Sequence, residues 1–222
     1  MIKIAPSLMC CDVGHLKEEI EKLEESEADL IHVDIMDGHF VPNFGLGPTI
    51  VRYLRRNSCL LIDTHLMIAD PGKYIEMFVD AGSHIISIHA ESCNNIIRQI
   101  QHIKKLGVKA SVAINPGTSL CSVEYVLQEL DMVLIMAVEP GFRGYPLIPV
   151  IPRKISQLRK MAERQKLTVD IEVDGGINLD TIPRVVEAGA NILVVGSAVF
   201  DTGKSIKESI RIIRKVAGHN SK

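Results

Sequence analysis

The sequence predicts an α/β protein folded as one closed (β/α)8 barrel over residues 1–222. Three observations lead there. Short aliphatic runs alternate eight times with helical patterns. The runs end near residues 9, 36, 67, 89, 114, 136, 173 and 196, so successive ends lie 22 to 37 residues apart. That spacing holds one strand, one helix and two short loops, the size of a βαβ unit. Runs such as Ile192-Leu193-Val194-Val195 are apolar without alternation, as a parallel sheet buried on both faces requires. Eight such units suit the TIM-barrel class. An open doubly wound sheet alternates in the same way, but the Gly-rich dinucleotide loop expected after its first strand is missing here.

The elements follow in order. A strand over 2–9 leads to a helix over 14–27, with Leu16, Ile20 and Leu23 on one face. The second strand covers 30–36 and its helix 49–56. The third covers 60–67, and Asp70-Pro71 starts a helix over 72–81. A strand over 84–89 precedes a helix over 94–106 that stops at Gly107. Strands over 108–114, 132–136, 169–173 and 192–196 alternate with helices over 118–129, 149–164, 179–188 and 205–216. No linker, low-complexity tract or charge block divides the chain.

Composition excludes several classes. The formal charge is −2, aromatics are 4% and Trp is absent. A near-neutral chain has no basic face for nucleic acid or anionic membranes, and few aromatics for stacking bases. No apolar run approaches the roughly 20 residues of a membrane-spanning helix, and Pro6 ends the short apolar N-terminus too early for a signal peptide. Five cysteines (10, 11, 59, 93 and 121) are an odd set without a C-x-x-C pair, which argues against a disulfide framework or a cysteine zinc knuckle. A cytoplasmic enzyme with reduced thiols is expected. Against the scarce aromatics stand eight Met and eight His.

Polar residues at the C-terminal ends of barrel strands are where such folds keep their chemistry. The second strand reads His32-Val33-Asp34-Ile35-Met36-Asp37-Gly38. Alternate residues share a face, so His32, Asp34 and Met36 point together, into the barrel if Val33 and Ile35 meet the helices. The third strand ends Asp63-Thr64-His65-Leu66-Met67 and the seventh Glu172-Val173-Asp174-Gly175-Gly176. Two imidazoles and two carboxylates at one mouth suit Zn2+, Mn2+ or Fe2+. Asp34 and Asp174 on opposite strands could also exchange protons beside a metal-polarised carbonyl; the alternative is that both serve only as ligands. His15, His39, His84, His102 and His219 lack such partners, and His89, at another strand end, is the one further candidate. The Gly175-Gly176 and Gly196-Ser197 turns after the last two strands offer backbone N–H groups to a phosphate. The stretch 138–146, rich in Gly and Pro, reads as a lid. Met9, Met36, Met67 and Met136 fall at strand ends and suggest a polarizable, water-poor wall. Met77, Met132 and Met161 read as core gap-fillers.

The chain resembles the ribulose-phosphate 3-epimerase family from residue 4 to residue 200. The matching segments are Ile4-Ala5-Pro6-Ser7, the long run from His32 through Asp37-Gly38-His39-Phe40-Val41-Pro42-Asn43, Asp63-Thr64-His65-Leu66-Met67, Met136-Ala137-Val138-Glu139-Pro140-Gly141-Phe142, Glu172-Val173-Asp174-Gly175-Gly176-Ile177 and Gly196-Ser197-Ala198-Val199-Phe200. The resemblance implies a ribulose-phosphate-binding barrel that interconverts D-ribulose 5-phosphate and D-xylulose 5-phosphate at C3 through an enediolate. It implies one divalent metal on His32, Asp34, His65 and Asp174, Zn2+ foremost, with Fe2+, Mn2+ or Co2+ as substitutes. Asp34 and Asp174 would be the two acid/base residues. Ser7 and His65 would lie against the substrate, with Met36, Met67 and Met136 around the enediolate. Gly141 and Gly144 of the lid, with Gly175, Gly176, Gly196 and Ser197, would hold the sugar phosphate. A homo-oligomer is also implied.

Two departures stand out. After the first strand this chain has Ser7-Leu8-Met9-Cys10-Cys11-Asp12, which is similar to the D-allulose-6-phosphate 3-epimerase branch, acting on a six-carbon ketose phosphate. In the lid, Arg143 and Tyr145 replace a Gly and a Gln common in the family. Two readings from other classes are a catalytically silent phosphate-binding barrel and a metal-independent lyase or decarboxylase. The latter would want a Lys at a strand end, and none of the eight predicted ends carries one.

Overall fold

The aliphatic runs become strands because β-branched side chains suit a pleated surface packed on both sides. The protein is described by a computed structural model covering residues 2–218. Its strands are β1 (Lys3–Pro6), β2 (Leu30–Met36), β3 (Leu61–Met67), β4 (Ile85–His89), β5 (Lys109–Ile114), β6 (Met132–Met136), β7 (Asp170–Asp174) and β8 (Ile192–Val195). They form one parallel sheet in the order β1-β8-β7-β6-β5-β4-β3-β2. Among the described residues its two ends meet through one parallel bridge, between Ser7 and His32. Below it, the Asp29 backbone N–H donates to Ile4 O at 3.0 Å and the Asp29 carboxylate accepts from Ile4 N at 2.8 Å. The barrel is thereby closed.

Outside the strands lie α1 (Leu16–Glu24), α2 (Pro48–Asn57), α3 (Ile75–Ala81), α4 (Ile96–Lys105), α5 (Cys121–Glu124), α6 (Ile151–Arg164), α7 (Ile182–Glu187), α8 (Ser197–Phe200) and α9 (Ile206–Gly218). Each long helix buries one stripe. On α9 that stripe is Ile206, Ile210, Ile213 and Ala217; on α6 it is Ile151, Ile155, Leu158 and Ala162. These pack with the outward strand residues, Val33 and Ile35 among them, in one continuous core. Among the described residues no helix is long and apolar enough to cross a membrane.

Three local predictions change. The strand expected over 2–9 ends at Pro6, and Leu8–Cys10 is a 3₁₀ turn whose Met9 N–H donates to Ser7 Oγ at 3.2 Å. A hydroxyl that captures a nearby N–H diverts the chain from the ladder. The helix expected over 118–129 shrinks to α5 and a 3₁₀ turn at Leu127–Glu129. Its Ser and β-branched residues are weak helix formers, and Ser122 Oγ instead bonds Ser119 O. The four-residue α8 after β8 is an element the sequence pattern does not reveal. His219 lies outside the described residues.

At the end of the barrel away from the polar strand termini, Asn191 joins β7 to β8. Its Oδ1 accepts from Ile171 N at 2.7 Å and from Arg159 Nη2 at 3.1 Å, while its Nδ2 donates to Asp170 at 2.6 Å.

Candidate active site

Parallel pairing sets His32 beside Asp63 and Asp34 beside His65, so both histidines and both carboxylates enter the barrel interior. His32 and His65 are fully buried and Asp34 nearly so. Asp34 Oδ1 lies 3.3 Å from His32 Nε2 and 3.2 Å from His65 Nδ1. Its other oxygen accepts from Ser7 Oγ at 2.7 Å. Asp174, the last residue of β7, completes the group. One ligand atom from each of His32, Asp34, His65 and Asp174 lies within 4.8 Å of the others.

This set fits a divalent cation on its chemistry: two imidazole nitrogens and two carboxylates. A second feature agrees. His32 Nε2, facing Asp34, is a buried polar atom without a hydrogen-bond partner, which a native interior seldom tolerates.

Electrostatics separates the two carboxylates. Burial opposes the charged form of Asp34, but the neighbouring His32 and His65 rings overcome it and hold that carboxyl well below the usual range. Burial, aided by the charge of Asp34, pushes Asp174 up to about 7. His65 is pushed down to about 4, chiefly by burial. For His32 burial opposes protonation, yet Asp34 and Asp63 prevail and hold the ring well above its ordinary value.

Behind these four residues stands a shell of which the sequence reading singled out only His89, as a further candidate. His32 Nδ1 donates to Asp63 Oδ2 at 2.6 Å. Glu172, fully buried, approaches the same nitrogen at 3.8 Å, and burial followed by the charge of Asp63 raises its carboxyl well above the usual range. His65 Nε2 meets His89 Nε2 at 2.8 Å, and His89 Nδ1 lies 3.3 Å from Glu91. The signal available in sequence was the period of two: Asp63 and Glu172 each precede a ligand by two residues and share its inward face.

A cleft of about 330 Å3 opens over the group. Asp34, Asp174, Ser7, Met36, Met67, Met136, Gly141, Gly144, Gly175, Gly176, Gly196 and Ser197 all line it. His32 and His65 lie behind Asp34 and are not part of its surface. Met36, Met67 and Met9 pack with Val41 and Phe40 as one apolar wall. Met132 and Met161 fill the core as expected, whereas Met77 is 39% exposed on α3. The lid is tied to the β2 loop by Asn43 Nδ2, which donates to Gly141 O at 2.7 Å. Gly176 has φ +64°, and a Cβ there would collide with the backbone nitrogen of Leu147, so the Gly175-Gly176 turn and the chain at Pro146-Leu147 touch main chain to main chain. Arg143 and Tyr145 also line the cleft, as does Cys10. Burial pushes the Cys10 thiol up, against the adjacent Arg143 guanidinium.

The remaining histidines have other duties. His84 Nδ1 accepts from Ile62 N at 2.9 Å, and His15, His39 and His102 bond Asp12, the Asp37 carbonyl and Glu76 at the surface.

Comparison with known proteins agrees with this geometry. Residues 3–200 match the model of the ribulose-phosphate 3 epimerase family. The chain is 49% identical over 212 residues to the ribulose-phosphate 3-epimerase of Bacillus subtilis, covering 94% of this chain and 98% of that one. It is 42% identical to that of Methanocaldococcus jannaschii, with 98% and 92% covered. Among solved structures, 3-hexulose-6-phosphate synthase from Salmonella typhimurium superposes with a TM-score of 0.72 at 18% identity, with 99% and 100% covered. The 3-keto-L-gulonate-6-phosphate decarboxylase of Vibrio cholerae gives 0.69 at 15%, with both chains fully covered. Those two likenesses carry the barrel fold alone. Fold, site and relatives together define an isomerase of the epimerase kind built on a (β/α)8 barrel. The chain belongs to the ribulose-phosphate 3-epimerase family.

Proposed function

We propose that this chain interconverts D-ribulose 5-phosphate and D-xylulose 5-phosphate by two-base proton transfer at C3, with one divalent metal held by His32, Asp34, His65 and Asp174. The observation that carries the reading is the placement of two carboxyl groups, Asp34 and Asp174, in one cleft beside two imidazoles. Two carboxyl groups flanking one carbon can divide base and acid roles between them. A cation bound there, Zn2+ or in its place Fe2+, Mn2+ or Co2+, supplies positive charge beside the oxygens of an enediolate. Asp34 removes the C3 proton from one face. Asp174 delivers its own proton to the other face, and the roles exchange in the reverse direction. Ser7 holds Asp34 in place through its hydroxyl. Met36, Met67 and Met136 keep water from the carbanionic centre, where proton exchange with solvent would compete. Backbone N–H groups of Gly175, Gly176, Gly196 and Ser197 hold the phosphate, with Gly141 and Gly144 closing from the lid.

The relatives' names favour the five-carbon substrate. A six-carbon ketose phosphate such as D-allulose 6-phosphate is the second reading, favoured by Met9 and Cys10, which depart from the family pattern and line the cleft. Turnover of the two sugars by metal-defined protein separates them: the first reading expects ribulose 5-phosphate to be preferred, and a reversed preference overturns it. Five unpaired cysteines fit a reducing compartment, read here as the cytoplasm.

A further inference from the structure

We infer that His89 is a positioning residue for His65, and that the Glu91 carboxylate sets the proton pattern that leaves His65 Nδ1 bare for a metal. The inference rests on the metal reading above and concerns residues outside the four-ligand set.

The argument starts from a single contact. The Nε2 atoms of His65 and His89 stand 2.8 Å apart between two fully buried rings. Two ring nitrogens at that separation share one proton, since two lone pairs or two N–H groups would repel. The ring centroids are 5.0 Å apart and the planes differ by 26°. At the observed nitrogen–nitrogen distance, that is two nearly coplanar rings meeting head to head, with the N–H aimed along the opposing lone pair. Phe40 packs on His89 at a centroid distance of 4.6 Å and holds the ring in this plane.

The direction of the shared proton is decided at the far end. His89 Nδ1 faces Glu91 Oε2 at 3.3 Å. Glu91 Oε1 is already engaged by the Asn115 N–H at 2.8 Å and by the Thr118 hydroxyl. Burial works against charge on Glu91, but bonds from His89, Thr118 and Asn115 prevail and bring it down to about 2. A carboxylate can only accept. With one proton on its ring, His89 carries it on Nδ1 and presents a bare Nε2. His65 must then donate from Nε2, and its Nδ1 is bare. That nitrogen faces Asp34 Oδ1 at 3.2 Å, two acceptors opposed, an arrangement resolved by a cation between them. Outer partners that fix a ligand's tautomer in this manner carry much of a site's affinity. His32 is oriented by a different route, donating from Nδ1 directly to Asp63.

Two substitutions in the full chain test this, with Co2+ as the probe. Glu91→Gln removes almost no volume but can place an amide N–H opposite His89 Nδ1, which reverses both tautomers. It should weaken Co2+ binding, measured by chelator competition, by about 10- to 100-fold, with a changed visible Co2+ spectrum. His89→Leu should do the same, and His89→Gln, whose amide oxygen can accept near the position of Nε2, should stay close to the unaltered protein. Equal affinity and spectrum in Glu91→Gln overturn the inference, as does a loss in His89→Gln as large as in His89→Leu. Thermal unfolding in chelator checks that each variant is folded. If the unaltered protein takes up no Co2+, the metal reading itself fails and this inference falls with it; if it binds Co2+ and the variants bind equally, only this inference fails.

Discussion

Ser7 donates its hydroxyl to Asp34 at 2.7 Å across the seam where the barrel closes. The same residue makes the only strand bridge between β1 and β2 among the described residues. Closure of the fold and orientation of the proposed base are therefore one structural event.

Replacing Ser7 with Ala leaves the backbone bridge but removes a hydrogen bond to a charged acceptor, which contributes about 1.5–3 kcal/mol. The expected result is a fall in kcat of roughly 10- to 100-fold with KM little changed, read by steady-state kinetics. A rise in KM alone would show that Ser7 serves binding instead.

Metal binding should release protons. Above its lowered value of about 4, His65 is already neutral. Asp174 keeps a proton below about 7, and His32 keeps one to higher pH. A proton on either group competes with the cation. Affinity for Co2+ should therefore rise with pH through neutrality, by about tenfold between pH 6 and pH 8 from Asp174 alone, with protons appearing in an indicator assay. Affinity independent of pH across this range would contradict the assignment.

Gly176→Ala places a side chain at a positive φ and against the Leu147 backbone. The Gly175-Gly176 turn and the chain at Pro146-Leu147 must then separate. We expect KM for the sugar phosphate to rise about tenfold or more, as loss of one or more charge-assisted contacts implies, with a lower Tm. An unchanged KM would show that this turn does not hold the phosphate.

Asn191→Ala, at the other end of the barrel, removes hydrogen bonds to Ile171, Arg159 and Asp170. The expected cost is about 1–3 kcal/mol in denaturant unfolding, with activity per folded molecule retained. Loss of activity without loss of stability would mean that the two ends of the barrel are coupled.

Much of this was legible in the sequence because strands write their faces with a period of two. His32, Asp34 and Met36 declared one face, and the same rule gathered His65 with Met67. The glycines at 141, 144, 175 and 176 stood out because Gly tolerates the positive φ these turns adopt. What stayed hidden depends on register between strands. Nothing along the chain says that residue 89 of β4 meets residue 65 of β3, or that Asp63 stands beside His32. The split of the helix predicted over 118–129 was hidden for a different reason: its apolar spacing is helical, while its Ser and Val residues are weak helix formers. Met77 looked like core because composition cannot tell an outward helix face from an inward one.

The central claim is proton transfer at C3 by Asp34 and Asp174, and solvent exchange at that carbon tests it most directly. With Zn2+- or Co2+-loaded protein in heavy water, D-ribulose 5-phosphate should gain deuterium at C3 as it converts to D-xylulose 5-phosphate, and Asp34→Asn and Asp174→Asn should each abolish conversion. No exchange by the loaded protein, or full conversion by either variant, would contradict the account.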